Sequence, residues 1–162
     1  LEGDDVLGIL ATSKLIIEGD KIVVSQDKDM QTLPGLHLND RKARERMTAK
    51  TAKTYLDCVR VIAPHEADYN HMLQTLTGDS TDGYPGCPGI GPKKAAVILA
   101  PFFTPEAFDA AGAWKAIVET YAKKKLGEEV ALMNARVARI CRYTDYNFQT
   151  KEVRLWSPTI QA

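Results

Sequence analysis

Seven carboxylates lie in three short groups: Glu2, Asp4 and Asp5 in LEGDD, Asp27 and Asp29 in SQDKD, and Asp79 and Asp82 in GDSTD. Glu2 and Asp5 are three apart, so on a helix start they share one face. Asp27 and Asp29 point the same way in an extended segment. Asp79 and Asp82 are three apart in a turn. Gathered at about 5 Å in an effective dielectric of about 20, each like-charged pair repels by about 3 kcal/mol. Divalent cations remove that cost. Hard oxygen donors, with no His or Cys inside the three groups, select Mg²⁺ or Mn²⁺. Two such ions about 4 Å apart are a device for in-line phosphodiester cleavage. Each pair taken alone reads better as a helix cap, an Asx-turn or a solvated loop. The chemistry therefore depends on a fold that brings the groups together.

The third acidic group runs directly into GCPGIGPKKAA. A Walker A loop would need Lys where Pro92 stands, and a dinucleotide fingerprint would need a third Gly after Gly89 and Gly91. EF-hand spacing is missing from both DKDMQ and DSTDG. What remains is a turn, Gly89, Ile90 and Gly91, followed by a helix that opens on Pro92, Lys93 and Lys94. Glycines let backbone N–H groups approach an anion, the helix N-terminus adds its dipole, and the lysines add charge. Such a site reads a nucleic-acid backbone rather than its sequence. A plain helix–turn–helix corner is the competing reading.

The elements that must carry these residues follow from periodicity. Residues 4–12 have helical apolar spacing, with Asp4 and Asp5 in the first turn, where the helix dipole favours negative charge. Residues 21–27 form a β-branched run that reads as a buried strand in a parallel sheet, with Ser25 to Asp29 on its C-terminal loop. A turn and a short strand or loop fill 33–40. A basic helix is expected over 41–56, and a strand or loop over 57–64. A helix spans 64–78, with Pro64 at its start and Gly78 at its end. Residues 79–92 are loop and 92–100 a helix stopped by Pro101. Two further helices are expected over 105–126 and 127–143, and a strand over 151–156. The fold class is α/β: a partial parallel sheet flanked by helices, then a largely helical part. The division falls into residues 1–76 and 77–162.

With 162 residues the chain is long enough for a sizeable core. Its net charge is zero but unevenly spread: −5 over 1–40, +5 over 41–60, −4 over 61–90 and +4 over 91–162. Alternating blocks suit a protein that holds metal at one place and a polyanion at another. No apolar run is long enough to span a membrane, and LEGDDVLGIL has no signal-peptide character. Cys58, Cys87 and Cys141 lack metal or disulfide spacing and read as reduced thiols of a cytosolic protein. His37, His65 and His71 show no ligand spacing and read as surface or helix-end residues. Arg136, Arg139 and Arg142 recur every three residues as a candidate helix stripe, and Lys123 to Lys125 read as a solvated helix end. Trp114 and Trp156 sit in apolar patterns and read as core.

Together, LEGDD, SQDKDMQTL and TGDSTDGYPGCPGIGPKKAA resemble the three motifs of the flap-endonuclease-like 5′ nucleases: E-x-D-D, S-x-D-x-D and G-D-x-x-D-[NG]-x-P-G-x-x-G-x-G. The tail ARICRYTDYNFQTKEVRLWSP is similar to that of the 5′→3′ replication exonucleases of short-tailed phages, which would place the protein in a bacterial host's cytoplasm. The resemblance implies a two-metal nuclease acting on 5′ ends or flaps of duplex DNA. Glu2, Asp4 and Asp5 would serve one ion, and Asp27, Asp29 and Asp82 the other, with Asp79 more peripheral. Gly89 to Gly91 would form a helix-hairpin-helix turn that holds K⁺ and faces a duplex phosphate, with Lys93 and Lys94 along that strand. The family's earlier metal-binding aspartates and basic arch precede E-x-D-D. The resemblance therefore implies a missing N-terminal half, and a piece that binds metal weakly and cuts little by itself. A non-catalytic helix-hairpin-helix DNA-binding module is the alternative.

Overall fold

The computed structural model describes residues 1–158, which form two compact units. The first comprises Leu1–Ala67 and Ile140–Val153, and the second Asp68–Arg139 with residues 154–158.

The first unit opens with helix α1 (Gly3–Thr12) and strand β1 (Ile22–Val24). A single 3₁₀ turn (Asp29–Thr32) leads to β2 (Gly35–Leu38), α2 (Asp40–Thr48) and β3 (Arg60–Ile62). β1 and β2 are parallel, with Val23 opposite His37. β3 returns antiparallel to β2, with Leu36 opposite Val61. The sheet is thus mixed where the sequence reading expected a parallel one. The reversal follows from α2, which is shorter than the expected 41–56 helix. It ends at Thr48, and Lys50 then takes a left-handed conformation (φ 57°) that turns the chain back. A small cluster of Val23, Met30 and Leu33, with Ala11 and Ile140 against it, fills the inner side. Ile22, Val24 and Val61 of the sheet and Leu15 to Ile17 of the preceding loop are exposed. The returning segment ends in a hairpin of β4 (Tyr146–Asn147) and β5 (Glu152–Val153), so the expected 151–156 strand is reduced to two residues.

The second unit is helical. α3 (Pro64–Thr77), whose first turn belongs to the first unit, matches the expected bounds, and Gly78 closes it with φ 67°. α4 (Pro92–Leu99), α5 (Ala110–Ala122) and α6 (Glu128–Val137) follow. α5 starts five residues later than expected, because the Asp109 carboxylate caps it by accepting the Gly112 N–H at 2.9 Å. The core gathers Met72, Leu76, Leu99, Ile117 and Tyr121, with Trp114 edge-on to Trp156 at 5.2 Å between ring centroids. Both tryptophans are core, as their patterns suggested. The Tyr121 hydroxyl donates to the Thr75 carbonyl at 2.7 Å, and burial pushes its pKa well up. His71 corrects the surface reading: it is fully buried, with Nε2 2.7 Å from the Ala135 carbonyl. The arginine stripe also dissolves, because α6 stops at Val137. Arg136 donates to the Trp156 carbonyl and Arg139 pairs with Asp68 at 3.8 Å, while Arg142 lies in the first unit.

Candidate functional site

In the first unit the leading carboxylates sit at the N-terminus of α1. Asp5 Oδ2 accepts the Glu2 N–H at 3.1 Å, which helps satisfy the helix start. Its second oxygen, Oδ1, accepts the N–H of Cys141 at 3.0 Å. Glu2 and Asp4 are exposed, the Glu2 side chain reaching to the Asp5 backbone as the other half of a capping box, while Asp5 faces the returning chain.

That returning segment is a strap. The Thr12 hydroxyl accepts the Tyr143 N–H at 2.8 Å, and Arg142 Nη2 donates to the Thr32 carbonyl at 2.8 Å. Thr32 ends the turn that begins at Asp29. Residues 141–143 thereby tie the helix carrying the first acidic group to the turn carrying the second. Gly8 permits this close approach, since a Cβ there would lie 2.3 Å from the Cys141 carbonyl oxygen. Asp5→Ala leaves the buried backbone at Cys141 without its acceptor. It is expected to lower the unfolding free energy by about 1–3 kcal/mol, read by urea denaturation. A loss under about 0.5 kcal/mol would mean that Asp5 does not hold the strap.

The second group follows β1 at its C-terminal end, where α/β folds place reacting groups. The Asp27 N–H donates to Ser25 Oγ at 3.0 Å, and Asp27 Oδ1 accepts the Asp29 N–H at 2.8 Å. This chain of turns sets Asp27 exposed and Asp29 buried.

In the second unit the third group lies on a closed loop. Asp79 and Tyr84 exchange backbone hydrogen bonds at 2.9 and 3.0 Å, and the Cys87 N–H donates to the Leu76 carbonyl at 2.8 Å. The buried Asn134 side chain accepts the Gly86 N–H at 2.9 Å and donates to Val130. Within this frame Asp79 Oδ1 accepts the Thr81 N–H at 2.7 Å, and Asp79 and Asp82 each bring a carboxylate oxygen within 4.8 Å of the other's. At that separation two anions repel by about 3 kcal/mol, a cost that a hard divalent cation removes. The oxygen-only donor set and the exposure of Asp82 fit such an ion.

The phosphate turn stands on the same loop. Gly89 has φ 75° and is exposed, Gly91 is the N-cap of α4, and Pro92 opens the helix. Ile90 packs its side chain against the core and so anchors the turn. Lys93 and Lys94 are exposed, and Lys94 Nζ donates to the Gly89 carbonyl at 3.0 Å. Sequence periodicity left Lys124 on a solvated helix end. The fold brings its Nζ within 3.8 Å of where a Gly89 Cβ would stand. Burial raises the neighbouring Cys87 thiol pKa and the Lys124 charge pulls it the other way. The basic edge of the turn therefore has three lysines, and no sequence spacing linked the third to it.

No family model matches the chain. Over 98% of its length the chain is 29% identical to the exodeoxyribonuclease of Enterobacteria phage T3 and to the exonuclease of Escherichia phage T7. It is 30% identical over 98% of its length to the flap endonuclease Xni of Shewanella oneidensis. It is 33% identical over 97% to the Xni of Vibrio campbellii. The chain spans a little over half the length of these curated relatives, 56% of the phage proteins and 58% of the two endonucleases.

Proposed function

The chain belongs to the flap-endonuclease-like 5′ nuclease family, and on that premise we propose that it is part of a metal-dependent nuclease hydrolysing phosphodiester bonds at 5′ ends or flaps of duplex DNA. The observation that carries this reading is the loop from Asp79 to Lys94, which joins a carboxylate pair to an anion-ready turn and two lysines, with Lys124 brought beside the turn from the end of α5. In the proposal Glu2, Asp4, Asp5, Asp27, Asp29, Asp79 and Asp82 supply the oxygen ligands of two Mg²⁺ or Mn²⁺ ions. Bound there, such ions would supply polarisation of the scissile phosphate and a lowered pKa for the attacking water. Asp27, Asp82, Glu2 and Asp4 do so as exposed ligands. Asp5 would do so while also holding the strap, since each of its oxygens accepts one backbone N–H and keeps a further lone pair.

The turn at Gly89, Ile90 and Gly91 is the proposed helix-hairpin-helix contact to the duplex backbone, flanked by Lys93 and Lys94. In the proposal a K⁺ would sit at the carbonyls of this turn, of which Gly89's accepts from Lys94 Nζ at 3.0 Å. Replacing Lys93 and Lys94 together by Ala is expected to weaken duplex binding equally on all sequences. The slope of log affinity against log salt should fall by about 1 to 2. An unchanged slope would remove both residues from the interface. A second reading, a duplex-binding module whose acids serve only as caps, is favoured by the backbone bonds that Asp5, Asp27 and Asp79 accept. Among the described residues no helix is long and apolar enough to cross a membrane.

A further inference from the structure

Within the first unit, the loop after β1, β2, α2 and β3 enclose a cavity of about 270 Å³. Three cations line it: Lys42 and Arg46, one turn apart on α2, and Arg60 on β3. Asp27 is the carboxylate at its edge, while Met30, Leu38 and Ile62 give it apolar wall. Each cation is held differently. Arg46 Nη1 donates to the Asp57 carbonyl at 3.2 Å, in a loop that the Asp57 carboxylate fixes by accepting the Lys53 and Thr54 N–H groups. Arg60 lies 3.6 Å from Glu66 Oε1, on an exposed guanidinium that keeps donors to spare. Lys42 makes no ion pair among the described residues. His37 also lines the wall, and burial together with the Arg60 charge lowers its pKa. It therefore adds no lasting positive charge at neutral pH.

Three fixed cations over apolar wall suit an anion with an apolar body. The volume lies at the lower edge of small-ligand cavities, roughly 300–1,000 Å³, which limits the occupant to about one nucleotide. We propose that this cavity receives a single nucleoside 5′-monophosphate unit, its phosphate on Lys42, Arg46 and Arg60 and its base or sugar against Leu38, over a floor closed by the buried Met30 and Ile62. Guanidinium forks match phosphate oxygens in pairs, and the lysine adds a point charge. The source of the unit rests on the nuclease reading: it is the 5′-terminal nucleotide of the DNA or the mononucleotide released from it. Placed against Asp27, it would mark where the chain end stops.

The test uses the 162-residue chain in excess EDTA, so that binding is read without cleavage. Titration calorimetry with deoxyadenosine monophosphate is expected to show saturable, salt-sensitive binding that inorganic phosphate competes for. Lys42→Gln and Arg60→Gln should each weaken it about tenfold, the loss of a charge-assisted hydrogen bond. Lys115→Gln, exposed on α5 in the other unit, should leave it unchanged, and thermal melts confirm that the variants fold. Tighter binding of a 5′-phosphorylated duplex than of its 5′-hydroxyl counterpart, lost in Lys42→Gln, assigns the cavity to the DNA end. Binding of the free nucleotide without that preference assigns it to the product. Absence of nucleotide binding at millimolar concentrations, or wild-type affinity in both Lys42→Gln and Arg60→Gln, overturns the proposal. If the complete protein fails to cut DNA while the chain still binds nucleotide, the nuclease reading falls and the cavity stands.

Discussion

Asp82→Asn in the complete protein is expected to cut the rate of metal-dependent cleavage at least a hundredfold while leaving duplex affinity equal or higher. Asp82 is exposed on the loop that carries Asp79, with a carboxylate oxygen within 4.8 Å of one of Asp79's. The amide keeps the size and one acceptor oxygen but removes the negative charge that would draw a divalent cation. Losing a group that merely orients a metal ligand costs about 10- to 100-fold, so losing a ligand itself should cost at least the upper figure. Duplex affinity should not fall, because removing an anion near phosphates relieves repulsion. Steady-state cleavage of a 5′-labelled duplex, with gel-shift binding in Ca²⁺ or EDTA, reads the two effects separately. Cleavage at the wild-type rate would favour the non-catalytic module, whose acids only cap turns. Parallel loss of binding and cleavage would indicate that the loop has collapsed.

The second large effect concerns the frame of that loop. Gly86→Ala should destabilise the chain by about 4 kcal/mol or more, whereas Gly83→Ala, on the same loop, should cost about 1–2 kcal/mol. Both glycines have positive φ, 64° and 75°, which an L side chain adopts at about 1–2 kcal/mol. They differ in space. A Cβ on Gly83 meets nothing within 4 Å, whereas one on Gly86 would lie 2.3 Å from the Gly78 nitrogen and 2.5 Å from the Thr77 carbonyl carbon. Those atoms are backbone, so relief requires moving the end of α3 and the Gly86 N–H bond to buried Asn134. Shifts of that kind belong to the rare mutations costing above about 4 kcal/mol. Urea denaturation followed by far-UV circular dichroism compares them. Equal losses at the two positions would mean that the close passage of Gly78 and Gly86 is not rigid.

Much of the local structure was legible in the sequence. The apolar spacing of 4–12, the Pro64 start and Gly78 stop of α3, and the Pro92 start of α4 fixed these helices within a residue or two. The information is local there: dipole, cap and ring geometry act within one turn of the residues that supply them. The strand at 21–27 was placed correctly and its parallel partner expected. Where the reading failed, a distant group had taken the backbone. The expected helix over 127–143 stops at Val137 because the Cys141 and Tyr143 N–H groups are claimed by Asp5 and Thr12, over 130 residues earlier. The antiparallel return of β3 and the burial of His71 likewise depend on partners that no periodicity encodes.

The same contrast applies to the candidate site. By residue type and spacing alone, the sequence determined three acidic groups of hard oxygen donors and one glycine turn with following lysines, because ligand chemistry and backbone freedom belong to the residues themselves. Tertiary structure decided how exposed each of those carboxylates is and which backbone groups they hold. Asp5 is bound through both of its oxygens to backbone N–H groups, while Glu2, Asp4, Asp27 and Asp82 stay exposed. It also set Lys124 beside Gly89, and gathered Lys42, Arg46 and Arg60 around one cavity from two separate elements. Proximity between residues far apart in sequence comes from packing, and packing is settled only when the whole chain has found its hydrogen-bond partners.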